Sequence, residues 1–346
     1  MILNEPAVKA GGVSGLSNCL RFTSAAEFTL KVYDSAKHWD GTLEWTDGQN
    51  DWAVWDGTTT LQSAGGFLAV RGSGNTIIAR DLNYRWVLTG NNIRCDGNIE
   101  TLLDYQTVAS GMHPTMGNYC YSNLFRGCAS LTSAPDLPAT TMKTSCYSGM
   151  FNGCTALTTA PALPATTLSE YCYSGMFNGC TSLTSAPTLP TTTLARNCYS
   201  GMFNGCTRLT SAPALPATTL ADYCYSEMFK DCTSLTSAPA LPATALSYYC
   251  YQYMFQGCTS LTRVPALPAT TLRAYCYRYM FYRCANIKLS TTQTGDYQYE
   301  YRVPQTGEGT TATDALASMF TYTGGTFTGT PTINTTYYTD HPPVAA

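Results

Sequence analysis

The chain has 346 residues, 44% hydrophobic and only 12% charged, against about 25% charged in an ordinary soluble domain. The formal net charge is -3 with no basic run, which argues against a nucleic-acid binder, and the apolar fraction is too high for a disordered chain. Three histidines, His38, His113 and His341, leave little material for acid–base or metal chemistry.

Residues 1–22 read as an N-terminal arm that contains Gly and Ser. Residues 1–20 lack a basic segment followed by an apolar one, so no secretory signal peptide is expected there. No stretch approaches ~18 consecutive apolar residues, and no membrane span is expected.

Residues 23–105 read as a small antiparallel β domain. All five tryptophans (Trp39, Trp45, Trp52, Trp55, Trp86) lie here. Phe28–Tyr33 alternates as a strand. Leu43–Trp45 and Trp52–Trp55 flank a Thr-Asp-Gly-Gln-Asn turn, which predicts a hairpin. Phe67–Arg71 and Thr76–Ile78 flank Gly72-Ser-Gly-Asn75 and predict a second one. The tryptophans read as core and cross-strand packing, with a sugar platform as the alternative.

Residues 106–290 hold seven units of 26 residues. Cys120, Cys146, Cys172, Cys198, Cys224, Cys250 and Cys276 mark one column. Cys128, Cys154, Cys180, Cys206, Cys232, Cys258 and Cys284 repeat the step eight residues later. A fixed period of this size means stacked repeats. Within a unit, Leu168, Cys172, Met176 and Cys180 recur at i, i+4, i+8 and i+12, widened by Tyr173 and Phe177. That spacing predicts a helix with one buried face, started by Thr167-Leu-Ser-Glu170 and stopped at Gly179. A short strand is expected at Leu183–Ala186, limited by Pro187 and Pro190. The expected fold class is therefore an α/β solenoid, a stack of strand–turn–helix units behind the β domain. Leu131, Leu157, Leu183, Leu209, Leu235, Leu261 and Ile287 should form an interior column.

The helical reading sets the cysteine chemistry. Eight residues of helix span about 12 Å, whereas a disulfide needs Cα atoms about 4.4–6.8 Å apart. The fourteen repeat cysteines are expected to be reduced, buried and apolar in behaviour. No C-x2-C pair exists for zinc, and no metal or cofactor is expected.

Residues 291–346 read as a C-terminal cap and tail. Ala317-Ser-Met-Phe320 echoes the Met-Phe of the repeat, so one degenerate turn is expected there. Thr326-Phe-Thr-Gly-Thr-Pro-Thr reads as strand or loop, and His341-Pro-Pro-Val-Ala-Ala as a frayed end.

The core Met-Phe-x-x-Cys-x-x-Leu-Thr, as in Met176, Phe177, Cys180, Leu183 and Thr184, resembles the 26-residue repeat of bacterial surface proteins, related to the BspA-type leucine-rich repeats. The resemblance covers about 115–290. The Ala-Pro-x-Leu-Pro-Ala-Thr-Thr segment departs from it, where related repeats often carry Asn, Asp and Ser. A similar proline-rich version, with a comparable Trp-rich N-terminal part, occurs in proteins of gut Bacteroidetes and their phages. The resemblance implies binding or surface display and supplies no transferable ligand site.

No Ser-His-Asp order, phosphate loop or paired carboxylate recurs, and an enzyme is not expected. His38-Trp-Asp40 is the nearest approach to a general-base pair, and His113 reads as a turn residue. The positions that vary between units are more informative. Late units collect Tyr248, Tyr249, Tyr253, Tyr275, Tyr279 and Tyr282 off the buried stripe. They read either as a binding patch for a glycan or protein or as packing against the C-terminal cap. Ser and Thr columns on the strand side offer a second, uncharged face. The expected function is a non-enzymatic phage virion component (fibre, decoration or receptor-contacting protein). The alternative is a secreted bacterial adhesin or glycan-binding protein at the cell surface. The partners expected are virion or cell-surface proteins and surface glycans, with a homo-oligomer in view and no nucleic acid.

Overall fold

The computed structural model describes residues 13–345; most of the stretch read as an arm lies outside them. The N-terminal part holds β1 (Leu20–Thr23), β2 (Thr29–Val32), β3 (Thr42–Thr46), β4 (Ala53–Val54), β5 (Leu61–Gln62), β6 (Phe67–Ser73), β7 (Trp86–Thr89) and β8 (Ile93–Asp96). β3 and β4 form the first expected hairpin, with Trp45 opposite Ala53. The second does not form: β6 pairs instead with β1 and β3. Thr76 and Ile77 are held by the Asp40 carboxylate, which accepts both backbone N–H groups, and Ile78 N–H donates to the Cys120 carbonyl in the first repeat. The helix α1 (Thr101–Ala109) packs on β6. Gly72 permits the approach, since a methyl there would run into the Leu102 carbonyl.

The expected helices of the repeat are absent. Among the described residues α1 is the only α-helix, and each Cys-Tyr-Ser-Gly-Met-Phe segment is a run of turns. In Tyr171–Cys180 alternate N–H groups do different work. Cys172, Ser174, Met176, Asn178 and Cys180 donate three residues back, at 3.0–3.3 Å. Tyr171, Tyr173, Gly175, Phe177 and Gly179 donate to Arg196, Cys198, Ser200, Met202 and Asn204 of the next unit, at 2.7–3.0 Å. Tyr171, Gly175 and Gly179 take φ of 59, 60 and 72°, so every fourth residue is left-handed. That is the region glycine enters without steric cost. The buried residues Cys172, Tyr173, Met176, Phe177 and Cys180 therefore repeat every 4.0 residues, not 3.6. A helix would use every N–H internally; this backbone spends half of them on its neighbour.

The expected strand also shrinks. β9 (Leu131–Ser133) pairs in parallel with β8, and β10 (Lys288–Ser290) lies at the other end. Between them only isolated parallel bridges such as Thr159 to Ser185 and Ser237 to Arg263 remain, because the prolines that follow cannot extend a ladder. The stack of units stands, built from turns and bridges in place of strands and helices.

The core runs through the whole stack. The Leu column from Leu131 to Ile287 is buried. Phe125, Phe151, Phe177, Phe203, Phe229, Phe255, Phe281 and Phe320 stack face to face at 5.3–5.7 Å. At the N-terminal end the ladder meets buried Trp86, which packs edge-on to Phe125 and continues to Trp55 and Trp39. Those three tryptophans are core, not a sugar platform.

The degenerate turn is present as an eighth coil, reached after 13 extra residues. Tyr277 and Phe281 N–H donate to the Ala315 and Met319 carbonyls, and Asp314, Ser318 and Tyr322 take the left-handed φ. Its outer edge is closed by Thr328–Thr330: Phe320 and Gly329 exchange backbone hydrogen bonds, and the Thr328 and Thr330 hydroxyls accept from Tyr322 and Ser318. A cap at each end is what a repeat stack requires. β11 (Tyr299–Arg302), β12 (Gly324–Gly325) and β13 (Thr336–Thr339) form a sheet with β10 in the order β11-β13-β10-β12. The tail is not frayed at Val344, whose N–H donates to Val264 and whose carbonyl accepts from Ala266, beside the proline segment of the sixth unit.

Candidate functional site

The six tyrosines share the outer wall of the last coils, and the left-handed positions put them there. In the first left-handed column, Tyr223, Tyr249 and Tyr275 have φ of 58, 59 and 62°. Their rings stack at 4.5 and 4.6 Å, nearly parallel. In the second column the residues are Gly149, Gly175 and Gly201, then Glu227, Tyr253 and Tyr279, all between 56 and 60°. Tyr253 and Tyr279 stack at 5.0 Å. A side chain in this conformation costs about 1–2 kcal/mol, and three earlier coils avoid that cost with glycine.

Arg278 joins the two ladders, its guanidinium 5.3 Å from the Tyr275 ring and 4.9 Å from the Tyr279 ring. Tyr282 packs edge-on to Tyr279 and to Tyr322 of the eighth coil, so part of the patch does pack against the C-terminal region. Tyr248 is exposed and stands apart from the ladders, near Arg273. Tyr223, Tyr322 and the arginines were not among the candidates; a cation five residues from the next along one unit was the available signal.

Stacking decides what the ridge offers. Ring faces within a ladder cover one another, so the wall presents ring edges and phenol hydroxyls rather than flat platforms. Desolvation, then the neighbouring Tyr223, hold the Tyr249 phenol above its ordinary pKa; like any phenol it is a hydrogen-bond donor at neutral pH, and it stays one further into the alkaline range.

The remaining candidates do not converge. His38 pairs with Asp34 at 2.7 Å and stacks on Tyr84, while Asp40 serves Thr76 and Ile77. His113 pairs with the buried Glu100 at 2.7 Å. All sixteen cysteines are buried and free. The helical distance argument does not apply to them, because there is no helix. Instead the second column forms its own ladder: Cys180, Cys206, Cys232 and Cys258 Sγ donate to the carbonyls of Phe151, Phe177, Phe203 and Phe229 at 3.0–3.2 Å. Burial pushes the Cys172, Cys180, Cys224 and Cys232 thiols up to about 12, so they are poor nucleophiles. No helix among the described residues is long and apolar enough to cross a membrane.

Stacked units with an inward leucine column and a variable outer wall define a repeat protein of the leucine-rich kind. The chain belongs to the BspA-type leucine-rich repeat family: the family described as "BspA type Leucine rich repeat region" matches residues 114–210 and 173–301, in six copies. No curated protein and no solved structure matches the chain.

Proposed function

We propose that this protein is a non-enzymatic recognition protein that uses the tyrosine ridge of its last coils as its contact surface. The observation that carries the reading is the second left-handed column. Tyr253 and Tyr279 hold a strained backbone where glycine would relieve it, and strain of this kind gathers at functional positions. The finer reading places the protein on a phage particle, as a fibre, decoration or receptor-contacting component. It rests on the resemblance of the proline-rich repeat and the Trp-rich N-terminal part to proteins of gut Bacteroidetes and their phages. A bacterial surface adhesin is the alternative, and co-sedimentation with purified particles separates the two.

Tyr253→Gly with Tyr279→Gly tests the ridge without breaking the fold. Losing the ring pair costs about 0.5–1.5 kcal/mol, and relieving two left-handed side chains returns about 1–2 kcal/mol each. The melting temperature should stay level or rise, while binding to a printed array of surface glycans and envelope proteins falls at least about tenfold. Unchanged binding by the folded variant, or no binding by the wild type, sinks the reading.

A further inference from the structure

The charge distribution says what kind of ligand the ridge takes. The chain as a whole is acidic, yet no Asp or Glu occurs between Asp231 and Asp296. That interval holds Arg263, Arg273, Arg278, Arg283 and Lys288. Two of these cations are engaged: Arg263 donates to the Pro342 carbonyl and Lys288 pairs with Asp340. Arg273, Arg278 and Arg283 have no carboxylate partner among the described residues. They lie along one coil, five residues apart, each with its guanidinium near a ridge tyrosine: Tyr248, Tyr275 with Tyr279, and Tyr282. Asp314 on the eighth coil acts on Arg278 through space without forming an ion pair, and Glu227 and Asp231 lie two coils back in the same left-handed columns.

Two further observations mark the arginines. Arg278 Nε is buried with no hydrogen-bond partner, and a buried unpaired donor on a charged group is costly. Arg283 takes a φ of 62° in a column where Gly127, Gly153, Gly179, Gly205 and Gly257 occupy the same place, so it too is held against strain.

We propose that this wall is a binding site for an acidic polysaccharide, a chain of uronate or sulfated sugars lying along the seventh coil. The three guanidiniums would take its carboxylates or sulfates through charge-assisted, planar hydrogen bonds. The phenol hydroxyls would donate to its ring and hydroxyl oxygens. A single-stranded nucleic acid also carries anions, but its recognition relies on open aromatic faces for base stacking. Here the ladder rings of Tyr223, Tyr249, Tyr275, Tyr253 and Tyr279 cover one another's faces, and Tyr248 stands outside them. The proposal rests on the ridge being the contact surface and adds the ligand class.

The test measures binding of the full chain to polygalacturonate, chondroitin sulfate and neutral dextran, with poly-dT and anionic phospholipid vesicles alongside. Polygalacturonate or chondroitin sulfate should bind, and more weakly as salt is raised. Arg278→Gln should lose about tenfold and the triple Gln variant at least about a hundredfold, on a scale of tenfold per charged contact. The thermal transition should stay in place. Equal binding of dextran, or wild-type affinity in the triple variant, overturns the acidic ligand and leaves the ridge intact. Tighter binding of poly-dT or vesicles than of either acidic glycan also overturns it. Failure to bind any glycan or envelope protein removes both readings together.

Discussion

Raising the pH from 8 to about 10 should unfold the repeat stack. The ordinary thiol value is 9.0, and in the folded chain burial lifts Cys128, Cys172, Cys180, Cys224, Cys232 and Cys276 to about 12. The other repeat cysteines move the same way. A folded pKa above the unfolded one means that the folded state keeps protons the unfolded chain gives up. The stabilisation is whole below pH 9 and is lost as the pH climbs from 9 toward 12. At pH 10, one unit above the ordinary thiol value, each thiol held near 12 costs on the order of 1 kcal/mol. The six such thiols together cost several kcal/mol, comparable with the roughly 5–15 kcal/mol that holds most domains, and the other eight act in the same direction. The buried Tyr173, Tyr225 and Tyr251 phenols are also raised by burial and push in the same direction. Circular dichroism and tryptophan emission should show a transition near pH 10. Thiol alkylation should be slow at pH 8 and complete beyond the transition. Thiols that alkylate readily at pH 8 would show that the coils do not bury them, and a fold unchanged through pH 11 would show that their deprotonation does not limit the stack.

Phe203→Ala should lower stability by about 3–5 kcal/mol, the usual cost of emptying a buried aromatic position. Phe203 is fully buried and stacks on Phe177 and Phe229, at 5.7 Å on each side. In a linear stack each coil leans only on its neighbours, so the loss falls at the middle of the array. The melting temperature should drop by about 4–7 °C, and the single transition should broaden or split as the two halves uncouple. Limited proteolysis should open the chain within the coil around Phe203. A shift of less than about 2 °C would mean that the phenylalanine ladder contributes little and that the coil-to-coil backbone hydrogen bonds carry the stack.

The repeat was legible because its period never slips. Fourteen cysteines on one ruler locate the first seven coils, and the buried columns of Leu, Met, Phe and Cys follow from their spacing. The error lay in the backbone. Residues four apart look like one face of a helix over two or three turns, yet on a true helix they drift about 40° per step. Gly175 and Gly179, themselves four apart, were the signal against it, since each glycine costs a helix about 1 kcal/mol and relieves a left-handed turn. The tyrosines lie off the buried columns, but their mutual stacking joins rings 26 residues apart, and Arg278 bridges two ladders that exist only once the coils are stacked.

What the amino-acid order decided by itself is the periodic part: the number and boundaries of the coils, which side chains are buried, and where the outer wall varies. Those follow from spacing along one chain, because burial repeats whenever the unit repeats. What only the tertiary structure decided is how the backbone groups are paired. Half the N–H groups of each coil, such as Gly175 to Ser200 and Phe177 to Met202, bond to a neighbour. No local pattern records a hydrogen bond made 25 residues away. The same holds for Val344 joined to Val264 and Ala266, and for the ring faces that close on one another along the ridge. Their geometry exists only once adjacent coils are stacked in register.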